Sequence, residues 1–274
     1  MNGIIVNINP VMFTLGNLVI TWYSVMVTLA IIAAIVIAIF EARRKRISAE
    51  EIISLAPWVI AGGVIGARLF HVIDRWELYA GAPLHILMIQ HGGLAIWGGV
   101  AGGAIAVLAY ARRKRLSIGR LADTLVPGLL VAQIIGRFAC LINGDSYGSA
   151  TTLPWGFIYI NPASMIPENL FGVPTHPYPV YEMLWNLMGL ALALKFRRYL
   201  KTDGLLFLSY LSFYGVGRFI LTFIRHEKIW IWGLQEAQVI AIVILLASLA
   251  AIVFLYQRSL YQRSKVGLNP DVSS

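Results

Sequence analysis

The chain has 274 residues, of which 58% are hydrophobic and only 13% are charged, and its mean hydropathy is +0.74. Soluble domains carry about 25% charged residues, so this composition excludes an ordinary soluble protein. It predicts an all-α, polytopic integral membrane protein that forms a single membrane domain over residues 1–274. The single cysteine, Cys140, excludes an internal disulfide and a cysteine-based metal site.

Several segments are mostly apolar over about 20 residues, which is the length that a helix needs to cross a bilayer. In chain order they are 18–40, 54–73, 94–111, 121–142, 178–196, 204–224 and 236–256. The first is too long for a removable signal peptide and lacks the basic start and the small-residue cleavage site of one. We therefore expect about seven transmembrane helices, the first of which remains in the mature protein.

The net charge of +9 is compatible with nucleic-acid binding, but the positions of the basic residues indicate a membrane topology instead. Sixteen Lys and Arg residues follow odd-numbered spans, three follow even-numbered spans, and none precedes the first span. Because positively charged loops stay in the cytoplasm, the N-terminus is predicted outside and a tail at 257–274 inside. The basic clusters are interpreted as topology signals and contacts to anionic lipids, with no nucleic acid as partner.

The first three spans contain a few polar residues close to their predicted outer ends. Span one begins at Trp22-Tyr23, and Tyr23 taken alone is most simply an aromatic residue of the membrane interface. Span two places Arg68 in its outer part, after glycines at helical spacing that allow close helix contact. His91 precedes a glycine-rich run before span three and, taken alone, is more simply a loop histidine than a proton-transfer group.

A polar turn follows Arg137 at the outer end of span four, where the chain reads Asn143-Gly144-Asp145. The stretch 143–178 has no Lys or Arg and contains five prolines. It cannot form one regular helix, and it is predicted to be a structured external cap or lid. Its last residues lead into span five and bring His176 close to the outer interface.

Three arginines, Arg68, Arg137 and Arg218, lie on three spans that all run outward, roughly at the level of the outer leaflet. One such arginine is explained equally well by snorkelling to the surface, but three make a functional site the better hypothesis. No Asp or Glu occupies the middle of any span, so we expect the guanidinium groups to need an anion. Their planar fork matches phosphate oxygens, and the nearest phosphate is a phospholipid headgroup.

Further polar residues lie at the same predicted level and are able to donate hydrogen bonds or transfer protons. They are Asn143, Asp145, His176, Tyr181 and Glu182. A transporter would carry acidic residues or broken helices near the bilayer midplane, whereas here the polar groups crowd one side. The pattern favours an enzyme that uses lipid, with a transporter or channel and a structural protein as the open alternatives.

At these positions the sequence resembles the prolipoprotein diacylglyceryl transferases of bacteria over nearly its whole length. The resemblance rests on Trp22-Tyr23, Gly92-Gly93-Leu94-Ala95-Ile96, Asp123, Gly136-Arg137 with Asn143-Gly144 and Gly148, His176-Pro177 with Tyr181-Glu182, and Tyr214-Gly215 with Arg218. The spacing from Gly136-Arg137 to Gly148 is the family signature. Seven spans with an outside N-terminus are also the family's arrangement.

The resemblance implies transfer of the diacylglyceryl group from phosphatidylglycerol to the lipobox cysteine of preprolipoproteins, whose signal peptides would be partners. It implies a thioether product, release of glycerol 1-phosphate, no cofactor or metal, and a site facing the outer leaflet of the bacterial cytoplasmic membrane. Arg137 and Arg218 match the family's essential arginines and are predicted to be catalytic together with Asp145. The predicted phosphatidylglycerol-binding residues are Arg137, Arg218, Tyr23, Asn143, Gly148, Tyr214 and Arg68, and His91 and His176 are candidates for proton transfer.

The sequence departs from the family pattern at four positions. Family members commonly have Asn at the position of Cys140, Glu at Asp145, an acidic residue at Thr222, and His or Tyr at Trp97. Because Trp97 cannot act as a base, thiol deprotonation falls to Asp145, a histidine or the substrate phosphate. The chain is therefore interpreted as a divergent active transferase, with a paralogue that uses another acceptor or lipid, or a lipid or small-solute transporter, as alternatives.

Overall fold

The computed structural model describes residues 3–16, 18–88, 92–225 and 229–267. Within these ranges, seven helices have 18 or more residues: α1 Trp22–Arg44, α2 Ala49–Asp74, α3 Ile96–Arg113, α4 Ile118–Asn143, α5 Tyr178–Phe196, α6 Leu205–Thr222 and α7 Glu236–Gly267. Five of the helices, α1, α2, α4, α6 and α7, contain a stretch that is long and apolar enough to cross a membrane. A mostly helical membrane protein is confirmed, while the count of seven spans and the orientation of the termini stay predictions.

Six short strands add to this helical architecture and correct the strictly all-α prediction. β1 Ile4–Val6 pairs in parallel with β4 Phe157–Tyr159, with Ile4 opposite Phe157. β2 Val11–Leu15 pairs antiparallel with β3 Leu18–Thr21, and β5 Ile229–Ile231 pairs antiparallel with β6 Leu234–Gln235. Each strand has at most five residues, which is too short for a periodic pattern to stand out in the sequence.

The chain divides into two compact units, of which the first comprises residues 1–37 and 125–274. In this unit the core between α4, α5 and α6 contains Val126, Leu130, Ala193 and Leu206. α6 also packs on α7, where a Cβ added to Gly215 would lie 3.0 Å from the carbonyl oxygen of Ala241. These contacts fix the helices that carry Arg137, Glu182 and Arg218.

The second unit comprises residues 38–124, and the packing of α2 against α3 dominates it. Glycines line both helices at the contact, and a Cβ added to Gly62 would lie 2.8 Å from the carbonyl oxygen of Gly102. A Cβ on Gly66 would likewise strike the backbone of Gly98. The small residues predicted to allow close helix contact do so here.

The segment predicted as a cap, 143–178, is irregular except for β4 and a short 3-10 turn at Glu168–Leu170. Val6, Phe157, Tyr159 and Ile166 form a small buried cluster that ties this segment to β1. Its external position stays a prediction, as does the cytoplasmic position of the predicted tail at 257–274. The first part of that tail is helical, because α7 continues to Gly267.

Candidate active site

Two arginines from different helices share one carboxylate. Arg137 on α4 places Nε 2.7 Å from Oε2 of Glu182, and its Nη2 donates to Oε1 at 2.9 Å. Arg218 on α6 places Nη1 3.4 Å from the same Oε1 and donates to the Tyr178 hydroxyl at 2.9 Å. The expectation that these arginines have no carboxylate partner is therefore wrong, because Glu182 in the second turn of α5 supplies one.

Close packing between α5 and α6 brings Glu182 within reach of Arg218. The Trp185 ring stacks on Phe213 with 4.6 Å between ring centroids, and its Nε1 donates to the carbonyl of Phe213 at 3.2 Å. A Cβ on Gly217 would collide with the Trp185 indole. Glycine at the position before Arg218 thus lets the two helices approach closely enough for the shared ion pair.

The turn after α4 closes around the other edge of Arg137. Nη1 of Arg137 donates to Oγ of Ser146 at 3.3 Å and lies 3.9 Å from Sγ of Cys140. Asn143 is buried, and its carbonyl accepts from the backbone N–H of Met165 at 2.7 Å. The Arg137 side chain keeps 27% of its surface exposed, and both contacts of its Nη1 are long and therefore weak.

Asp145 lies in this turn with one side of its carboxylate enclosed. Oδ1 is buried and has no hydrogen-bond partner among the residues that the structure describes. Burial raises the pKa of Asp145 above its ordinary value, although a hydrogen bond from Cys140 and the charges of Arg137 and Arg225 act in the opposite direction. A carboxylate in this environment is a stronger proton acceptor than an ordinary aspartate.

The predicted residues Gly148 and His176 contact each other at the edge of the cap. The Gly148 N–H donates to the His176 carbonyl at 3.1 Å, and a Cβ on Gly148 would lie 2.7 Å from Cβ of His176. Nδ1 of His176 lies 3.2 Å from the Tyr181 hydroxyl, which also accepts from Nε1 of Trp155 at 3.0 Å. The cap is thereby joined to the first turn of α5, next to Glu182.

Two tyrosines predicted to bind lipid belong to the same unit as the arginine pair. Tyr23 is 44% exposed and lies near enough to Arg137 and Asp145 to interact electrostatically with both. Tyr214 is one helical turn before Arg218 on α6, and its ring centroid lies 6.5 Å from that of Tyr210. Their contact with lipid stays a prediction.

The departures from the family pattern have distinct surroundings. Thr222 is fully buried and donates its hydroxyl proton to the Arg218 carbonyl at 2.5 Å. It therefore occupies its hydroxyl with backbone rather than with a guanidinium group. Trp97 is 38% exposed in the first turn of α3, and His91 lies outside the described residues.

Arg68 lies in the second unit and is 7% exposed, with its guanidinium surrounded by backbone carbonyl oxygens. The expectation that it lacks internal partners is wrong as well. Headgroup binding by Arg68 stays a prediction. Among the described residues no group of three His, Cys, Asp or Glu side chains is placed to hold a metal ion.

Comparison with known proteins finds one family over nearly the whole chain. A family model described as prolipoprotein diacylglyceryl transferase matches residues 10–254. A phosphatidylglycerol-prolipoprotein diacylglyceryl transferase of Dehalococcoides mccartyi is 36% identical over 254 residues, which cover 92% of this chain and 95% of that protein. Proteins with the same description from Clostridioides difficile and Listeria welshimeri are 33% and 32% identical over 249 residues, covering 91% and 90% of this chain and 96% and 90% of their own lengths.

Proposed function

Because the chain belongs to the prolipoprotein diacylglyceryl transferase family, we propose that it transfers the diacylglyceryl group from phosphatidylglycerol to a prolipoprotein. The acceptor atom is the thiol sulfur of the lipobox cysteine, and the products are a thioether and glycerol 1-phosphate. The observation that carries the proposed site is the pair Arg137 and Arg218 on one carboxylate, with the Arg137 side chain 27% exposed.

The reaction is a displacement at carbon. The acceptor sulfur forms a bond to the terminal CH₂ of the diacylglyceryl group while the bond from that carbon to the phosphate ester oxygen breaks. The electron pair of the broken bond stays on the phosphate, and the thiol gives up its proton. Negative charge accumulates on the leaving phosphate, so fixed positive charges around it lower the barrier.

Arg137 and Arg218 are assigned to this leaving group. A guanidinium fork donates two parallel hydrogen bonds to phosphate oxygens, and a phosphate oxygen would replace the long contacts of Arg137 Nη1 to Ser146 and Cys140. Glu182 holds both arginines in position before substrate binds, since its carboxylate offsets their mutual repulsion. Preorganised charges of this kind cost no rearrangement when the transition state forms.

Asp145 is assigned as the acceptor of the thiol proton. Its Oδ1 lacks a hydrogen-bond partner among the described residues, and its raised pKa makes the ionised carboxylate more basic. His176, held by Gly148 and Tyr181, is the second candidate for proton transfer. Tyr23, Asn143, Gly148 and Tyr214 complete the proposed headgroup site.

We place the enzyme in the bacterial cytoplasmic membrane with seven spans, its N-terminus outside and its site toward the outer leaflet. The distribution of Lys and Arg between odd and even spans supports this orientation. Signal peptides of preprolipoproteins are the proposed protein partners, and the basic clusters contact anionic lipids.

The test is a transfer assay with the full chain reconstituted in lipid vesicles. A synthetic lipobox peptide is added to vesicles that contain phosphatidylglycerol or only phosphatidylcholine, and the peptide mass is followed. We expect a diacylglyceryl adduct with phosphatidylglycerol alone, and none on a peptide whose cysteine is replaced by serine. If no adduct forms while the protein carries lipid or solute across the vesicle membrane, it is a transporter and not a transferase.

A further inference from the structure

Every N–H group of the Arg68 guanidinium is directed at a backbone carbonyl oxygen of the segment 85–93. An arginine side chain has five N–H donors. Here Nε donates at 2.8 Å, Nη1 at 2.6 and 3.0 Å, and Nη2 at 2.5 and 3.3 Å, the acceptors being the carbonyls of Ile86, Gly92, Gly93, His85 and Met88 in that order. Donors and acceptors are therefore equal in number, and no donor is left over for a phosphate oxygen.

The positive charge of Arg68 is also balanced without a carboxylate among the described residues. The guanidinium carbon lies 5.1 Å from the centre of the Tyr79 ring, within the range of a cation-π contact. Tyr79 is itself only 7% exposed. Carbonyl dipoles and one aromatic face thus take the place of the anion that a buried cation otherwise needs.

The glycine pair Gly92-Gly93 allows the backbone to turn toward Arg68. Both residues have positive φ, +83° and +76°, which side-chain-bearing residues adopt only at a cost. A Cβ on Gly93 would lie 2.6 Å from Nη1 of Arg68 and 2.8 Å from the His71 ring, whereas a Cβ on Gly92 would meet nothing within 4 Å. Glycine at 93 is therefore required both by backbone conformation and by the presence of Arg68.

These residues line a pocket of about 280 Å³ in the second unit. Its walls include His71, Leu78, Tyr79, His85 and the glycine pair. Since the carbonyls of His85, Gly92 and Gly93 are bound to Arg68, the shape of this wall depends on the guanidinium.

We propose that Arg68 is a positioning residue for the transfer reaction, which holds the carbonyls of residues 85, 86, 88, 92 and 93 and so shapes a wall of the pocket in the second unit, rather than a phosphate ligand. The proposal rests on the proposed transferase function. Lysine offers three donors on a single nitrogen in place of a planar five-donor fork, so it cannot hold five carbonyls. A direct phosphate ligand would also lose its fork in lysine, but its replacement would leave the backbone carbonyls of the second unit, and the exchange of the nearby amides, unchanged.

The experiment compares Arg68→Lys, Gly93→Ala and the double variant, with Gly81→Ala as the matched control because a Cβ there meets nothing within 4 Å. We expect kcat/KM per folded enzyme to fall about tenfold or more in each single variant, as displaced binding groups cause. The double variant should fall by less than the product of the two single effects, since both changes disturb the same contact and only the positive φ of Gly93 adds a separate cost. Gly81→Ala should match the wild type.

Hydrogen exchange separates this proposal from the transferase assignment. Backbone amides of residues 92–95 should exchange faster in Arg68→Lys and Gly93→Ala and at the wild-type rate in Gly81→Ala, whether or not transfer is observed. An inactive wild type with this exchange pattern would overturn the transferase assignment alone. Wild-type kcat/KM in Arg68→Lys, independent losses in the double variant, or lower folded yield with unchanged kcat/KM would each overturn the positioning role.

Discussion

Glu182 meets Arg137 through both of its carboxylate oxygens, with Oε2 2.7 Å from Nε and Oε1 accepting from Nη2 at 2.9 Å. The Nη2 contact is a hydrogen bond, whereas Oε2 is buried and accepts no hydrogen bond among the described residues, so its contact with Nε is an ion pair only. The Glu182 side chain is only 10% exposed, so its charge is balanced by the arginines and not by water. The orientation of Arg137 toward substrate is therefore set by a residue on the neighbouring helix.

Glu182→Gln should reduce transfer by disturbing both arginines at once. The substitution keeps the size of the side chain but removes the charge that offsets the repulsion between Arg137 and Arg218, and a misplacement of about 1 Å costs roughly 10²-fold in rate. We expect kcat/KM in the vesicle assay to fall by about that factor. The control is Glu168→Gln, an exposed carboxylate in the cap, and wild-type activity in Glu182→Gln would contradict the role of this carboxylate.

Arg137→Ala and Arg218→Ala should each abolish detectable lipidation while the protein still inserts into the membrane. Loss of one preorganised donor to a developing anion costs about 10²- to 10³-fold in kcat. Arg113→Ala, which removes an exposed basic residue at the end of α3, is the control for net charge. Wild-type turnover by either arginine variant would refute the assignment of these groups to the leaving phosphate.

The sequence was sufficient to single out Arg137 and Arg218 as candidates, because a guanidinium inside an apolar run is costly and stands out in a hydropathy pattern. It did not predict that Glu182 pairs with both. Glu182 lies near the start of its helix, where a carboxylate looks like an interface residue, and pairing across helices depends on packing that glycine at 217 permits.

Arg68 shows a second limit of prediction from sequence. Its position in span two indicated a buried cation, but its partners are main-chain carbonyls, which every residue possesses and no residue type identifies. The only sequence signal was Gly92-Gly93, which was recognised as part of a glycine-rich run without its acceptor role. The short strands were missed for a similar reason, since two to five residues are too few to establish a period.

The pH dependence of transfer should report the environment of Asp145. A carboxylate that accepts the thiol proton must be ionised, and burial raises its pKa above the ordinary range for aspartate. The acid limb of the pH-rate profile should therefore lie above that range, with activity lost as the pH falls through the raised pKa. Asp145→Asn should remove the acid limb of the profile and lower the rate about 10²- to 10⁴-fold. Asp145→Glu should keep the acid limb and the rate of the wild type.

The same raised pKa has a consequence for stability with a defined sign. The folded protein binds the proton at Asp145 more tightly than the unfolded chain does, so this stabilisation is present below the ordinary aspartate pKa and is lost as the pH rises through the folded value. The melting temperature of Asp145→Asn relative to wild type should rise over that window. A difference in melting temperature that stays flat with pH would show that the pKa of the Asp145 carboxyl is not raised.

Cys140 should be dispensable as a nucleophile although it is the only thiol of the chain. Its sulfur lies 3.9 Å from Nη1 of Arg137, and it donates a hydrogen bond to Asp145 that favours the ionised carboxylate. Cys140→Ala should keep activity within a few-fold while the acid limb moves to higher pH, because loss of that hydrogen bond raises the pKa of Asp145 further. Cys140→Asn should also be tolerated, since the asparagine amide oxygen accepts from a guanidinium.

Mass spectrometry of enzyme and peptide should place the diacylglyceryl group on the peptide alone. An adduct at Cys140, or a folded Cys140→Ala protein without activity, would make the enzyme thiol part of the reaction.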